Sequence, residues 1–501
     1  MRTSLRTITA YFIGLGLVTA RVVSSSHFRV AVLDGILLVY LCWVVWLLPD
    51  RSGRFRSLKL LTIFNCIYFG IMGLMLLVME AQPSVFRPET LGLLYRKVGG
   101  DPIANLDRGL LLALTAQVML TVAFLIPLPA PRTRNTSQRG LSVVMSWLER
   151  PVVLVSITLA FVVSRVWPDH VPLVGAQLVY VWGTLFEAVL AMRLVRWLRD
   201  RPLRAEKALR WLWIVVMIVA AGLYSGWRGR LIELAALLVI ALVADRGEIR
   251  LRWIAIGSLA FGLLIVPWSI TYRSILWGGP DEGLAGRIRA GQIATQETAS
   301  LSLHDRALTS FSFVGLRVGS QRIDELSGVA AQSTRLNGRS IWPFLAGPVP
   351  RAVWQSKPQM SPQLNVIAHS LGKGQPSDFG TSMVWTQYTD LVLNFGTMGL
   401  LVGAFILGLF ARWLNSVFLV AGRRTPEAVG LFTLFFSPLW REHPVGLVYQ
   451  LEVQFLIILL VVFLMTRDRQ GLARRGVRHV GDLGHSALVE GGRVRAPLLS
   501  E

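Results

Sequence analysis

RWIAIGSLAFGLLIVPWSI, Arg252–Ile270, contains no charged residue after its first position, and TYRSILWGGPDEGLAGRIR, Thr271–Arg289, follows it directly. The first stretch is close to the roughly 20 mostly apolar residues that a helix needs to cross a bilayer core. The second carries Arg273, Asp281, Glu282, Arg287 and Arg289 and breaks that pattern at once. Working outward, runs of the first kind recur near 6–20, 28–48, 57–79, 108–128, 150–166, 172–192, 209–225, 230–244, 389–411, 425–440 and 446–466. Together they make about twelve candidate spans by length and hydropathy. The segment 412–424 reads as interfacial. The composition agrees: 53% of residues are hydrophobic, 16% are charged, and mean hydropathy is +0.54, too apolar for an ordinary soluble chain of this length.

The net charge is +22. In a soluble chain that would point to nucleic acid. Here the basic residues cluster in alternate loops: Arg51, Arg54, Arg56 and Lys59; Arg132, Arg134 and Arg139; Arg193 through Arg210; Arg423 and Arg424; Arg467 through Arg478. That alternation is the positive-inside pattern, and it excludes nucleic acid as the reason for the charge. It predicts cytoplasmic termini and an extracytoplasmic segment 271–388. The two cysteines, Cys42 and Cys66, both fall in apolar runs, so neither a disulfide framework nor a cysteine zinc site is expected. The first apolar run has no small-residue cleavage signature and reads as a retained span.

The expected fold is therefore all-α: a polytopic membrane bundle of about twelve transmembrane helices with one long extracytoplasmic loop bearing short amphipathic helices. Residues 1–270 hold the first nine spans, 271–388 the loop, 389–466 the last three spans, and 467–501 a basic cytoplasmic tail without packed structure. Within the loop, apolar residues at helical spacing (Leu301, Leu308, Phe311, Phe313, Leu316) predict short helices over 283–327. Pro, Gly and Ser enrichment over 338–376 predicts irregular chain.

Three groups of residues on the outer side carry candidate chemistry. SGWRGR, Ser225–Arg230, sets Arg228 and Arg230 in a glycine-containing turn between two spans. Arginine is permanently charged and forks onto phosphate oxygens, and near hydrocarbon it needs a partner. The plainer reading pairs Arg230 with Glu233 one turn on. IWPFLAGPVPRAVWQSKP, Ile341–Pro358, interleaves Arg351 and Lys357 with Trp342 and Trp354. Cations bind phosphate and indole faces stack on sugars, and the same composition also anchors a chain at a lipid interface. Proton acceptors on that side are Asp281, Glu282, His304, Asp305, His369, Asp378, Asp390, Glu442 and His443. Glu442 and His443 sit in a short turn, WREHP, and are the more constrained. No histidine grouping has metal-ligand spacing, so no metal is expected. Asp34, Glu187, Glu233 and Glu452 fall in apolar runs, where an ionisable group lines a cavity or pairs internally. Internal pairing is the expectation for Asp34 and Glu187.

Three stretches resemble bacterial O-antigen and exopolysaccharide repeat-unit polymerases, of the O-antigen polymerase/ligase superfamily. SGWRGR before LIELAALLVIALVA resembles that family's Ser-Gly-x-Arg-Gly turn. PRAVWQSKP resembles its Pro-Arg-x-x-Trp-x-x-Lys-Pro segment, with Gln355 where a proline would be expected. TSMVWTQYTDLVLNFGTMGLLVGAFILGLF, from Thr381, resembles the segment that re-enters the membrane through Asn-Phe-Gly and spaced glycines. The resemblance covers about 209–411.

It implies an integral-membrane glycosyltransferase of the bacterial inner membrane that joins polyprenyl-diphosphate-linked oligosaccharides, with a flippase and a chain-length regulator as pathway partners. Arg228, Arg230 and Arg351 would hold the diphosphate, supported by Lys357, with Arg273 and Arg339 as weaker candidates. His443, Glu442 or His369 would serve as base, and Trp354, Trp385 and Tyr388 would stack on sugar. No cofactor is implied: the chain has no phosphate-cradling glycine loop in a strand–helix context, and the lipid diphosphate carries its own activation. A ligase needs nearly the same residues. A flippase or transporter would instead spread charges through many spans. A dolichyl-phosphate-sugar type transferase is disfavoured, because the first outer loop, Val22–Phe28, lacks a carboxylate.

Overall fold

The computed structural model describes residues 2–48, 50, 53–81, 102–126, 148–166, 173–199, 228–247, 256–257, 259–278, 283–314, 326, 336–338, 354, 386–419 and 424–440. Every regular element among them is helical, as a chain in lipid requires, because a helix satisfies its own backbone. In order they are α1 (Arg2–Val23), α2 (His27–Leu47), α3 (Arg56–Asn65), a π-helical turn (Cys66–Ile71), α4 (Met72–Ala81), α5 (Pro102–Leu125), α6 (Pro151–Val166), α7 (Leu173–Arg199), α8 (Arg228–Arg246), a second π-helical turn (Phe261–Ile265), α9 (Val266–Gly278), α10 (Gly283–Ser300), α11 (Leu303–Val314), α12 (Gln387–Phe418) and α13 (Pro426–Trp440). Proline opens α5, α6 and α13, where its missing N–H costs nothing. Ser302 caps α11: its Oγ accepts from the Asp305 N–H at 3.1 Å and hydrogen-bonds the Asp305 carboxylate at 2.6 Å.

Among the described residues, four helices are long and apolar enough to cross a membrane: His27–Leu47, Arg56–Met79, Leu106–Leu125 and Gln387–Phe418. Shorter apolar helices lie at Phe12–Val23, Pro151–Ala160, Phe261–Leu276 and Pro426–Phe436. The expected spans 209–225 and 446–466 lie outside the described residues. The core joins α2 through α8 with α12 and α13 around fully buried Phe124, Phe186, Phe432 and Phe436. Helices α12 and α5 pack tightly at Gly408, where a Cβ would lie 2.7 Å from that of Ala123 and 3.0 Å from the Leu120 carbonyl oxygen. Small residues permit such close packing in lipid, where apolar side chains gain little from meeting each other.

The helix ends that the charge pattern assigns to one side of the membrane do meet at one end of the bundle. Arg193 and Arg196 of α7 both bind Glu149, and Arg196 also binds Glu427 at the start of α13. Arg199 binds Asp245 at the end of α8. Arg56, 3% exposed, donates to the carbonyls of Ala244 and Asp245, the second at 2.7 Å, and Arg424 donates to the Asp245 carbonyl at 2.9 Å. Arg412 donates to the carbonyls of Ala123 (3.2 Å) and Phe124 (2.9 Å), which α5 leaves unpaired at its end. Asn415 donates to the carbonyls of Gly53 (2.6 Å) and Arg54 (3.1 Å) and accepts from the Ser57 N–H at 3.1 Å. Gly53, at φ 76°, leaves no room for a side chain, since a Cβ there would sit 2.5 Å from the Leu419 oxygen. Asp50 accepts from the Phe55 N–H at 3.0 Å. Burial pushes its carboxyl above the usual range, against the opposing pull of that N–H and of Lys59.

Two sequence-based boundaries need correction. Residues 412–418, expected to be interfacial, are the last turns of α12, and Arg412, Leu414 and Asn415 are buried in it. The polar segment was expected to begin at Thr271 and end at Tyr388. Instead α9 continues through Gly278, and Tyr388 lies inside α12. The segment is also not wholly water-facing. Leu326 is fully buried in the main core, and Leu308, Phe311 and Leu336 pack against it. Helices α10 and α11 do occupy the region where short helices were expected.

Candidate functional site

The stretch TQYTDLVLNFGTMG, Thr386–Gly399, builds the most unusual geometry among the described residues. Thr386 caps α12, its hydroxyl accepting from the Thr389 N–H at 3.1 Å. Gly396 then breaks the helix with φ 71° and ψ −164°, a conformation that side-chain-bearing residues avoid. The two halves fold against each other there. A Cβ on Gly403 would come 2.4 Å from a Leu391 methyl, and one on Gly399 would come 2.8 Å from the Leu391 carbonyl oxygen.

The contacts made by the two ends of α12 require the same fold-back. A straight helix would separate Tyr388 from Ala411 by about 34 Å. Yet the Ala411 oxygen accepts from Ser57 Oγ at 2.9 Å while the Tyr388 hydroxyl accepts from Asn65 Nδ2 at 2.8 Å. Ser57 and Asn65 are only about 12 Å apart along α3. Residues 387–395 are therefore a re-entrant half-helix. It rises from the middle of the bundle to Gly396, where the chain reverses into the long second half of α12.

At the foot of this half-helix lies a buried polar cluster shared by three helices. Asn65 donates to Gln117 Oε1 at 2.6 Å as well as to Tyr388, and Gln117 donates to Thr62 Oγ1 at 2.9 Å. The Tyr388 ring stacks on Phe69 with centroids 5.5 Å apart. Asn65 directly precedes the π-helical turn, a local widening often found where a helix serves a function. Buried hydrogen-bonded side chains of this kind both glue helices together and mark polar pathways in membranes. Further up, Asn394, fully buried, donates to the Asp390 carbonyl (2.9 Å) and carboxylate (3.2 Å).

The break exposes the last carbonyls of the half-helix, and the polar segment supplies their partners. The N–H of Leu336 donates to the Leu393 oxygen at 3.2 Å and that of Asn337 to the Asn394 oxygen at 3.1 Å. The Gly338 N–H donates to Asn394 Oδ1 at 3.0 Å. Asn337 (φ 49°) and Gly338 (φ 82°) form the left-handed turn that aims these donors.

The sequence-based candidates fall in different places. Arg228 and Arg230 occupy the first turn of α8, whose far end, Arg246, lies about 27 Å away beside the arginine–carboxylate network. Arg273 is half-buried in α9 and already engaged, and Trp354 is likewise half-buried and engaged. Tyr388 is buried in the polar cluster, its ring stacked on Phe69 and its hydroxyl bonded to Asn65, so its present neighbours are protein groups. Arg339, Arg351, Lys357, His369, Trp385, Glu442 and His443 lie outside the described residues, as do Asp281, Glu282, Asp378 and Glu452. Asp305 is engaged with Ser302, and Asp34 is paired with Arg21 at 2.9 Å. Glu187 is buried and has a partner. Among the described residues, no group of three or more His, Cys, Asp or Glu is arranged to hold a metal.

Asn65, Gln117 and the Leu336–Gly338 turn were not singled out from the sequence, whereas Asn394 belongs to the Asn-Phe-Gly stretch that carries the family resemblance. A signal existed for the others: two amides in otherwise apolar spans, and an Asn-Gly dipeptide, which is a turn former.

No protein family, no curated protein and no solved structure matches this chain.

Proposed function

We propose that the protein is an integral-membrane glycosyltransferase that extends polyprenyl-diphosphate-linked oligosaccharides into a surface or extracellular polysaccharide. The observation that carries this reading is the set of three stretches, SGWRGR, PRAVWQSKP and the Asn-Phe-Gly segment, in one chain with apolar helices long enough to span a membrane. The third stretch coincides with the re-entrant half-helix, and irregular backbone at membrane depth occurs where it is buried in protein or lines a polar cavity. In the proposed reaction an acceptor sugar hydroxyl attacks the anomeric carbon of the donor glycan. The bond from that carbon to the diphosphate oxygen breaks, and the hydroxyl proton passes to a base, His443, Glu442 or His369. The leaving diphosphate gains negative charge, which Arg228, Arg230 and Arg351 would stabilise with Lys357, since preorganised charge aimed at a developing anion is the largest lever on such a step.

Broken helices with polar groups near mid-bundle are also the building blocks of transporters. The Gly396 break with the Tyr388–Asn65–Gln117 cluster therefore favours, as a second reading, a flippase for lipid-linked oligosaccharides. One experiment separates the two. Purified protein in nanodiscs is given lipid-linked repeat units, without nucleotide sugar. A ladder of longer lipid-linked chains supports the transferase. No ladder in nanodiscs, with transbilayer movement of the same lipid in proteoliposomes, supports the flippase.

A further inference from the structure

We propose that the Leu336–Gly338 turn is a strap that holds the half-helix Gln387–Phe395 in its re-entrant position, so that strap and half-helix open and close as one unit. Among the described residues, three hydrogen bonds form the junction: two to the Leu393 and Asn394 carbonyls and one to the Asn394 side chain. The Gly396 break removes the partners that a continuous helix would have given those carbonyls, so the strap replaces them from a distant part of the chain. Release of the strap breaks these three hydrogen bonds to one end of the half-helix together, which couples the two segments. The junction is nevertheless small and partly exposed. Asn337 is exposed and Phe395, over which Gly338 lies, is 49% exposed. The foot of the same half-helix carries Tyr388 into the Asn65–Gln117 cluster. Strap release thus loosens a polar contact near the middle of the bundle, and any event that pulls on residues flanking 336–338 is transmitted there. The transmission needs no assumption about the reaction catalysed.

Hydrogen exchange on the unmodified full-length protein in nanodiscs tests the proposal. The amides of Leu336, Asn337 and Gly338 should exchange with the same rate and the same denaturant dependence as those of residues 388–395. Both should exchange at least tenfold faster than the amides of Val243–Gly247 and Arg412–Leu419 at the arginine-stapled end. Leu336→Pro, which deletes one strap donor, and Asn394→Ala, which deletes the side-chain acceptor, should each speed exchange of 388–395 at least tenfold. The stapled end should keep its protection. Gly16→Ala, at a position with open space, should change neither. Independent exchange of strap and half-helix in the unmodified protein overturns the proposal even where a variant fails to fold. Unchanged protection of 388–395 in both strap variants overturns it equally.

Discussion

The two ends of α12 are held by opposite means. At the Phe418 end, long cationic side chains staple several helices together: Arg56, Arg196, Arg199, Arg412 and Arg424 reach carboxylates and terminal carbonyls across the bundle. At the Gln387 end no arginine takes part among the described residues. The chain breaks at Gly396, turns back, and is held by short amide and hydroxyl side chains and by the backbone of a distant turn. Each stapled contact joins charge to charge or to a helix terminus. Each contact at the break supports a conformation that cannot be reached otherwise.

The largest effects should come from the arginines that the proposed function assigns to the diphosphate. Arg228→Ala, Arg230→Ala and Arg351→Ala should each cut polymer formation by about a hundredfold or more, since one preorganised contact to developing charge is worth about 2.7–4 kcal/mol. Membrane levels of protein should stay unchanged, and lysine should rescue poorly because a planar fork is replaced by a point charge. Normal polymer from all three would remove the functional half of the comparison.

Gly396→Val comes next. A β-branched residue at φ 71° is strained by about 1–3 kcal/mol, and relief of that strain would straighten the helix and withdraw Tyr388 from Asn65. Lower thermal stability in detergent, with protection lost over 388–395, is the expected result. Wild-type protection would show that the break is not what holds the half-helix. Gly408→Leu probes the packing between the two ends: with Ala123 and the Leu120 carbonyl so close, overpacking should cost about 1–3 kcal/mol. A neutral effect would mean that α12 and α5 can slide apart.

At the stapled end, single changes should matter less. Arg196→Gln loses contacts to Glu149 and Glu427, but the side chain is 32% exposed, so the loss should be about 1 kcal/mol and should shrink in high salt. The smallest effect concerns pH. Burial raises the folded-state pKa of Asp50, so its favourable contribution is present when it is protonated and fades as pH rises through that value. Asp50→Asn keeps the acceptor for the Phe55 N–H and should leave stability at pH 7 equal or slightly higher, with a flatter profile as pH rises above the ordinary carboxylate range. A clear loss at pH 7 would show that the ionised form is needed by its cationic neighbours.

Much of this was legible in the residues. Hydrophobic runs placed helices over 28–48 and 57–79 to within a residue, while the run 108–128 falls on a helix that starts earlier and stops at Leu125, because span length is set mainly by the bilayer. Arg56, Arg196, Arg199 and Arg424, from three of the basic clusters, do meet at one end of the bundle, since charge is costly in hydrocarbon wherever the fold places it. What composition could not convey is where polar atoms find partners. Arg412 read as an interfacial residue because its buried partners, the carbonyls of Ala123 and Phe124, belong to another helix. Tyr388 read as a loop aromatic because the half-helix that buries it depends on one glycine's φ and on a turn some fifty residues earlier. Hydropathy is a sum over local residues and survives any packing. Reversal at Gly396, capping by Leu336–Gly338 and the meeting of Asn65, Gln117 and Tyr388 are relations between distant residues, and only the tertiary structure decides them.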